Sequence, residues 1–358
     1  MPDTMEDELE RALSEIDTGN RSGRNLKIMR LYLGLDGQEG LSLQQAGEPF
    51  GLTRESVRQI KSRFSDAIQE KGPVQLSPAL VVSLGHLQEM APAAASDVEQ
   101  SLVSKGLIRS GATVAFILHV ASLFGLADSA PSLVTHGSAS FVVPRDRKSL
   151  IKDVVSKANK SVSKNGAVCV RDLAFVTGSE KPGALRFVRA VMNDAGRTKW
   201  INDEWLYFNG SGRNCLVRRL QRIFSMVGRA HIDSIQRALK RSMPKAKPLP
   251  KFVLRDLVAK DPAFTIDEEG YVQPAPGQTF DPEKLLRKCE REFVEYLAAN
   301  GRPYAREKEL ELSIVDSRSD KFSFSMALTT SPLIQKYQGK RGQYVLVGEP
   351  LNVAQTAE

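Results

Sequence analysis

Between Thr53 and Arg63 the sequence offers Arg54, Glu55, Arg58, Gln59, Ser62 and Arg63 opposite an apolar stripe of Val57, Ile60, Phe64 and Ala67/Ile68. That spacing predicts an amphipathic helix whose polar ridge faces away from a core. A major groove admits one α-helix, and the N-terminal part of that helix meets the base edges. Arginine can give two parallel hydrogen bonds to guanine, glutamine can do so with adenine, and glutamate can accept one from cytosine. All three chemistries stand near the start of this helix. A helix that only neutralised phosphate would have no use for Glu55. The same ridge read as an ordinary solvated helix face is the bland alternative.

The elements that would position the ridge are legible. Residues 24–33 carry Leu26, Ile28, Met29 and Leu33 at helical spacing, and the glycine-rich stretch 34–40 ends that helix. Ser42 and Gln45 have capping-box spacing for a short second helix to about Pro49. Gly51 marks a turn, Thr53 caps a third helix to about Glu70, and Gly72-Pro73 stops it.

Residues 24–30 and the stretch LSLQQAGEPFGLTRESVRQI resemble region 4 of primary bacterial sigma factors. Ser42, Leu43, Gly47, Phe50, Leu52, Thr53, Arg54, Glu55, Val57, Arg58, Gln59 and Ile60 match that family's signature in place. The resemblance implies a bacterial transcription protein recognising a minus-35-type promoter element. Arg54, Glu55, Arg58 and Gln59 would then be the base and nearby backbone contacts, and Lys61 and Arg63 would help hold phosphate; Thr53 at the helix start and the outward Ser62 complete the candidate DNA-binding set. It further implies contact with the flap of the RNA polymerase β subunit through residues 24–34. Pro49, Ser56 and Lys61 depart from the common family pattern, and no aromatic-rich promoter-melting stretch occurs, so promoter opening is not expected.

Beyond residue 76 an order of elements repeats. Helices over 150–158, 170–176 and 184–195 precede strand-like segments 198–201 and 205–208, joined by Asn202-Asp203-Glu204. The same order returns over 216–272 and 282–347, the last hairpin closing through Gly339-Lys340-Arg341-Gly342, and more weakly over 76–143. Three helices and a hairpin make the winged-helix plan. The expected fold class is therefore mainly α with small β-hairpins: an N-terminal helix-turn-helix (21–72), then three or four tandem winged-helix-like units (76–143, 145–210, 213–274, 281–349). An acidic segment (1–20) and a tail (350–358) flank them. Residues 243–250 read as a loop and 274–282 as a linker.

Fifty Lys and Arg against 42 Asp and Glu leave a net charge of +8, which favours a polyanionic partner. Lys148, Lys152, Lys199, Arg218, Arg219, Lys340 and Arg341 are further candidate phosphate contacts. They lie among wider clusters that take in Lys157, Lys160, Lys164, Arg197, Arg213, Arg222, Arg237, Lys240, Arg241, Lys245, Lys247, Lys251 and Lys336. Trp200, Trp205, Tyr207, Phe208, Tyr271 and Tyr344 read as strand core rather than stacking platforms. Cys169, Cys215 and Cys289 with His86, His119, His136 and His231 lack metal-ligand spacing. There is no Walker loop and no catalytic triad order, so neither an enzyme nor a cofactor or small-molecule substrate is expected. No apolar run reaches the roughly 20 residues of a membrane helix and no signal peptide opens the chain, so a cytoplasmic protein without a membrane partner is expected. Double-stranded DNA is the expected partner. The alternatives are an adaptor binding RNA polymerase or another complex, and a DNA-binding subunit of a mobile-element or defence system.

Overall fold

The computed structural model describes residues 3–17, 23–35, 40–178, 182–208, 215–243, 247–300, 304–314 and 318–351. It is mainly helical, with small antiparallel sheets. The backbone gathers into two compact units, one of residues 1–155 and 174–196, the other of 156–173 and 197–358. Among the described residues no helix is long and apolar enough to cross a membrane.

The first unit opens with α1 (Met5–Ile16), whose start is fixed by a reciprocal capping box between Thr4 and Asp7. Helix α2 (Arg24–Leu33) follows and ends on left-handed Gly34. Next come α3 (Leu43–Gly47), a 3-10 turn (Glu48–Phe50) and the long α4 (Arg54–Lys71). The expected boundaries hold closely: Ser42 and Gln45 cap one another, and the Thr53 hydroxyl accepts from the Ser56 amide. Pro49 falls in the 3-10 turn, so the second helix closes earlier than the sequence suggested.

Then come α5 (Pro73–Leu76), α6 (Pro78–Met90), β1 (Ala93–Ala94), α7 (Ala95–Ser104), α8 (Val114–Leu123) and the hairpin β2 (Ser132–His136)–β3 (Ala139–Val143). Segments 21–72 and 76–143, distinct in the sequence pattern, share one core. Ile28, Met29, Val57, Phe64 and Ile68 belong to the same buried cluster as Leu84, Val98, Ile117 and Phe124. The acidic N-terminal segment is built into that core: Met5, Leu9 and Leu13 are fully buried. Its carboxylates act as local clamps. Glu8 accepts from the Ser77 hydroxyl and the Ala79 amide, while Glu6 accepts from the Arg109 amide.

Segment 145–210 contributes to both units. It holds α9 (Leu150–Asn165), β4 (Val168–Cys169), α10 (Val170–Ala174), α11 (Pro182–Asp194) and the hairpin β5 (Thr198–Trp200)–β6 (Trp205–Phe208). The second unit continues with α12 (Cys215–Phe224), β7 (Val227–His231), α13 (Ile232–Ser242), α14 (Lys251–Lys260), β8 (Phe264–Ile266) and β9 (Tyr271–Pro274). It ends with α15 (Pro282–Leu285), α16 (Lys288–Asn300), β10 (Ala305–Arg306), α17 (Glu307–Ile314), α18 (Arg318–Thr330), β11 (Ile334–Lys336), β12 (Gln343–Leu346) and β13 (Glu349–Pro350).

Each hairpin gains a third strand: the short segment between the first two helices of its repeat pairs antiparallel with the hairpin's second strand. The orders are β1-β3-β2, β4-β6-β5 and β10-β12-β11, while β7-β9-β8 carries β13 on the outer edge of β7. Within the second unit Arg222 of α12 makes a two-pronged ion pair at 2.6 and 2.7 Å with Glu290 of α16, a carboxylate only 1% exposed. A carboxylate taken from water to that degree needs its partner, and breaking such a pair is far more costly than breaking a surface one.

Candidate nucleic-acid interface

Helix α4 is divided lengthwise by its packing. Val57, Ile60, Phe64 and Ile68 face the core. The C-terminal half is also tied down by polar contacts to the end of α8. The Ser65 hydroxyl donates to the Leu123 carbonyl at 2.9 Å, and the Gln69 amide donates to the Phe124 carbonyl at 2.7 Å. The N-terminal half stands clear, with Arg54, Glu55, Arg58, Gln59, Ser62 and Arg63 all exposed.

Two glycines make this posture possible. A Cβ on Gly47 would sit 2.7 Å from the Val57 Cγ2 and 2.9 Å from the Leu52 carbonyl oxygen. Glycine therefore lets α3 approach α4 closely enough to brace it. Gly51 turns the chain with φ of +64°, a left-handed conformation that glycine adopts without steric cost. Thr53 then caps α4, so its hydroxyl serves the helix start.

Within the ridge, Arg58 and Glu55 grip one another. The Arg58 Nε donates to Glu55 Oε2 at 2.8 Å and Nη2 to Oε1 at 2.7 Å. The Arg58 guanidinium holds the Glu55 carboxyl below its ordinary pKa, with Gln59 and Arg54 assisting, and Glu55 in turn raises that of Arg58. Both side chains remain more than half exposed, at 58% and 61%. The pair is thus a screened surface contact that a stronger partner can displace.

Lys61 is placed differently from its neighbours. It is half-buried, its ammonium lies 5.3 Å from the centre of the Tyr32 ring, and Tyr32 meets His119 edge-on at 4.4 Å. Burial, then the Lys61 charge, push the His119 pKa down. This Lys61–Tyr32–His119 stack joins α2, α4 and α8 beneath the ridge. Nothing in the sequence pattern signalled it, because its members are far apart in the chain.

Helix α2 sends Ile28, Met29, Tyr32 and Leu33 into the core and leaves Arg24 and Lys27 exposed. The further phosphate candidates fall into two groups. Lys148, Lys152, Lys199, Arg218, Lys340 and Arg341 are exposed. Arg219 is half-buried and donates to the Ser242 carbonyl at 3.3 Å. The wider cluster on α12 shrinks further: Arg222 is engaged by Glu290, and on α13 Arg241 donates to the Ser331 carbonyl at 3.0 Å. Lys251 pairs with Asp233 at 2.6 Å. Arg213 and Lys245 lie outside the described residues. Phe208 and Tyr344 are buried in their sheets, and Trp205 and Tyr207 pack against the neighbouring core, while Tyr271 carries the Arg229 guanidinium 4.1 Å from its ring centre.

No family model matches the chain, and no curated protein is detectably similar to it in sequence.

Proposed function

We propose that the chain is a sequence-specific regulator of transcription that binds double-stranded DNA and reads the major groove with the N-terminal half of α4. The observation that carries this reading is the combination of an exposed polar ridge with a rigid seat. Arginine, glutamate and glutamine lie side by side at the helix start, and the far half of the same helix is locked into a core. A reading helix must be held firmly enough that its side chains, not its backbone, select the base. The resemblance of residues 24–60 to sigma region 4 supports the same assignment of residues. We read the four repeats of helix, short strand, two helices and hairpin as winged-helix units that add contacts to DNA or to protein.

The test is selection of bound duplexes from a random pool by the wild-type chain and by Arg58→Ala. The wild type is expected to enrich one motif. The variant is expected to lose discrimination at one position of it, by about 5- to 150-fold, the range for a two-pronged arginine–guanine contact. An identical motif in both proteins, or none in either, would refute base reading by α4. Recovery of RNA polymerase without any selected duplex would favour the adaptor reading instead.

A further inference from the structure

The four hairpins share a topology and differ in the chemistry of their turns. The β2–β3 turn is tethered, Ser138 donating to Asp194 through its amide and its hydroxyl at 3.2 and 2.8 Å. The β5–β6 turn contains Asp203 and Glu204, the latter paired with Arg171 at 2.5 Å. The β8–β9 turn is Asp267-Glu268-Glu269-Gly270, with Asp267 held by Arg229 at 2.7 Å. The β11–β12 turn is basic: Lys336 ends its first strand, Lys340 and Arg341 follow near its apex, and all three are exposed. None of the three takes part in an ion pair among the described residues.

The sheet extends this charge. Arg306 of β10 is exposed and stands opposite Gln343 of β12, two residues beyond Arg341. The hairpin is braced where its strands enter the turn. Tyr337 stacks on Tyr304 with ring centres 4.8 Å apart, and the Tyr344 hydroxyl donates to Glu307 at 3.3 Å. Glu307 also reaches the turn, its amide donating to the Gly342 carbonyl at 3.0 Å, but its carboxylate is held by the Tyr344 hydroxyl and forms no ion pair with Lys340 or Arg341 among the described residues.

We infer that the β11–β12 hairpin is a second DNA-contacting element, gripping the phosphodiester backbone of a duplex through Lys340 and Arg341, with Lys336 and Arg306 beside them. The inference rests on the proposal that the chain binds duplex DNA, and it assigns a separate surface to the sequence-independent part of that binding. Cations that are exposed, unpaired and mounted on a braced hairpin can exchange their counterions for phosphates without first breaking a protein contact. A membrane surface would also attract them. It would be gripped more firmly by a large apolar side chain at the apex, and here the apex carries Gln338, Lys340 and Arg341 while Tyr337 is occupied by Tyr304.

The test uses the full chain and fluorescence anisotropy across a salt series, with the selected duplex and a random-sequence duplex. Lys340→Ala/Arg341→Ala is expected to flatten the plot of log affinity against log salt by about 1.8, two contacts' worth. It should weaken both duplexes by the same factor. Arg58→Ala, run alongside, is expected to alter the ratio between the duplexes. An unchanged salt slope in the hairpin variant overturns the inference, and leaves the α4 reading standing if Arg58→Ala still shifts the ratio. The reverse pattern keeps the hairpin and removes the reader. Loss of binding to phosphatidylserine vesicles, with no change on DNA, would assign the hairpin to a membrane and overturn the inference. A wild-type chain that binds neither duplex removes both proposals.

Discussion

Glu55→Ala separates a base-reading ridge from a solvated one, because the two predict opposite consequences for specificity. In the free protein Glu55 holds Arg58 with two hydrogen bonds, and both groups are more than half exposed. Such a pair three residues apart on a helix surface changes the folding equilibrium by a factor of only about two. Removing Glu55 also takes a negative charge from the positive end of α4, a further small loss. The variant should therefore fold. On DNA the balance is different. Arg58 no longer has to leave a partner, and a carboxylate no longer faces the phosphates, so affinity for random duplex should rise severalfold. Discrimination at the base pair that Glu55 contacts should fall by about 5- to 150-fold. Anisotropy titrations of the selected duplex and its single-position variants measure both quantities. If affinity rises equally on all sequences and the ratio between them stays that of the wild type, Glu55 is only a helix-start charge and the reasoning fails.

Two further expectations concern the seat of the ridge. Phe64→Ala removes a core side chain that is 3% exposed and should cost about 3–5 kcal/mol in chemical denaturation, whereas the adjacent Arg63→Ala should stay within about 0.5 kcal/mol; equal losses would mean that α4 is not seated as described. Asp7 has its pKa lowered to about 2 by hydrogen bonds from Thr4 and Arg109. A carboxyl depressed on folding stabilises the native state above its unfolded pKa, and that stability disappears as pH falls from about 4 toward 2. Asp7→Asn should thus lose on the order of 1 kcal/mol at neutral pH after solvent screening, and should show a flatter acid limb in a melting series. A variant whose stability still falls as steeply between those values would contradict the assignment.

Helices α2, α3 and α4 were legible because each of their signals is local. Ser42 with Gln45, Thr53, Gly34 and Gly51 act over three or four residues, and the stripe from Val57 to Ile68 repeats at helical spacing. The hairpins announced themselves through aromatic and β-branched residues around polar turns. What escaped depends on partners distant in the chain. The two-residue strands β1, β4 and β10 are strands only because a hairpin lies beside them. Arg222 read as part of a basic cluster, since its partner Glu290 is 68 residues away. The N-terminal helix escaped for another reason: Met5, Leu9 and Leu13 were spaced for burial, but the acidic residues between them dominated the composition. Those acids face the rest of their unit as clamps, a use that charge counting does not distinguish from solvation.

The most direct measurement is methylation interference on the selected duplex, which distinguishes guanine N7 in the major groove from adenine N3 in the minor groove. Reading by α4 requires that methylation of one guanine N7 blocks the wild-type chain and leaves Arg58→Ala nearly indifferent. Interference confined to adenine N3, or the same guanine pattern in both proteins, would contradict it.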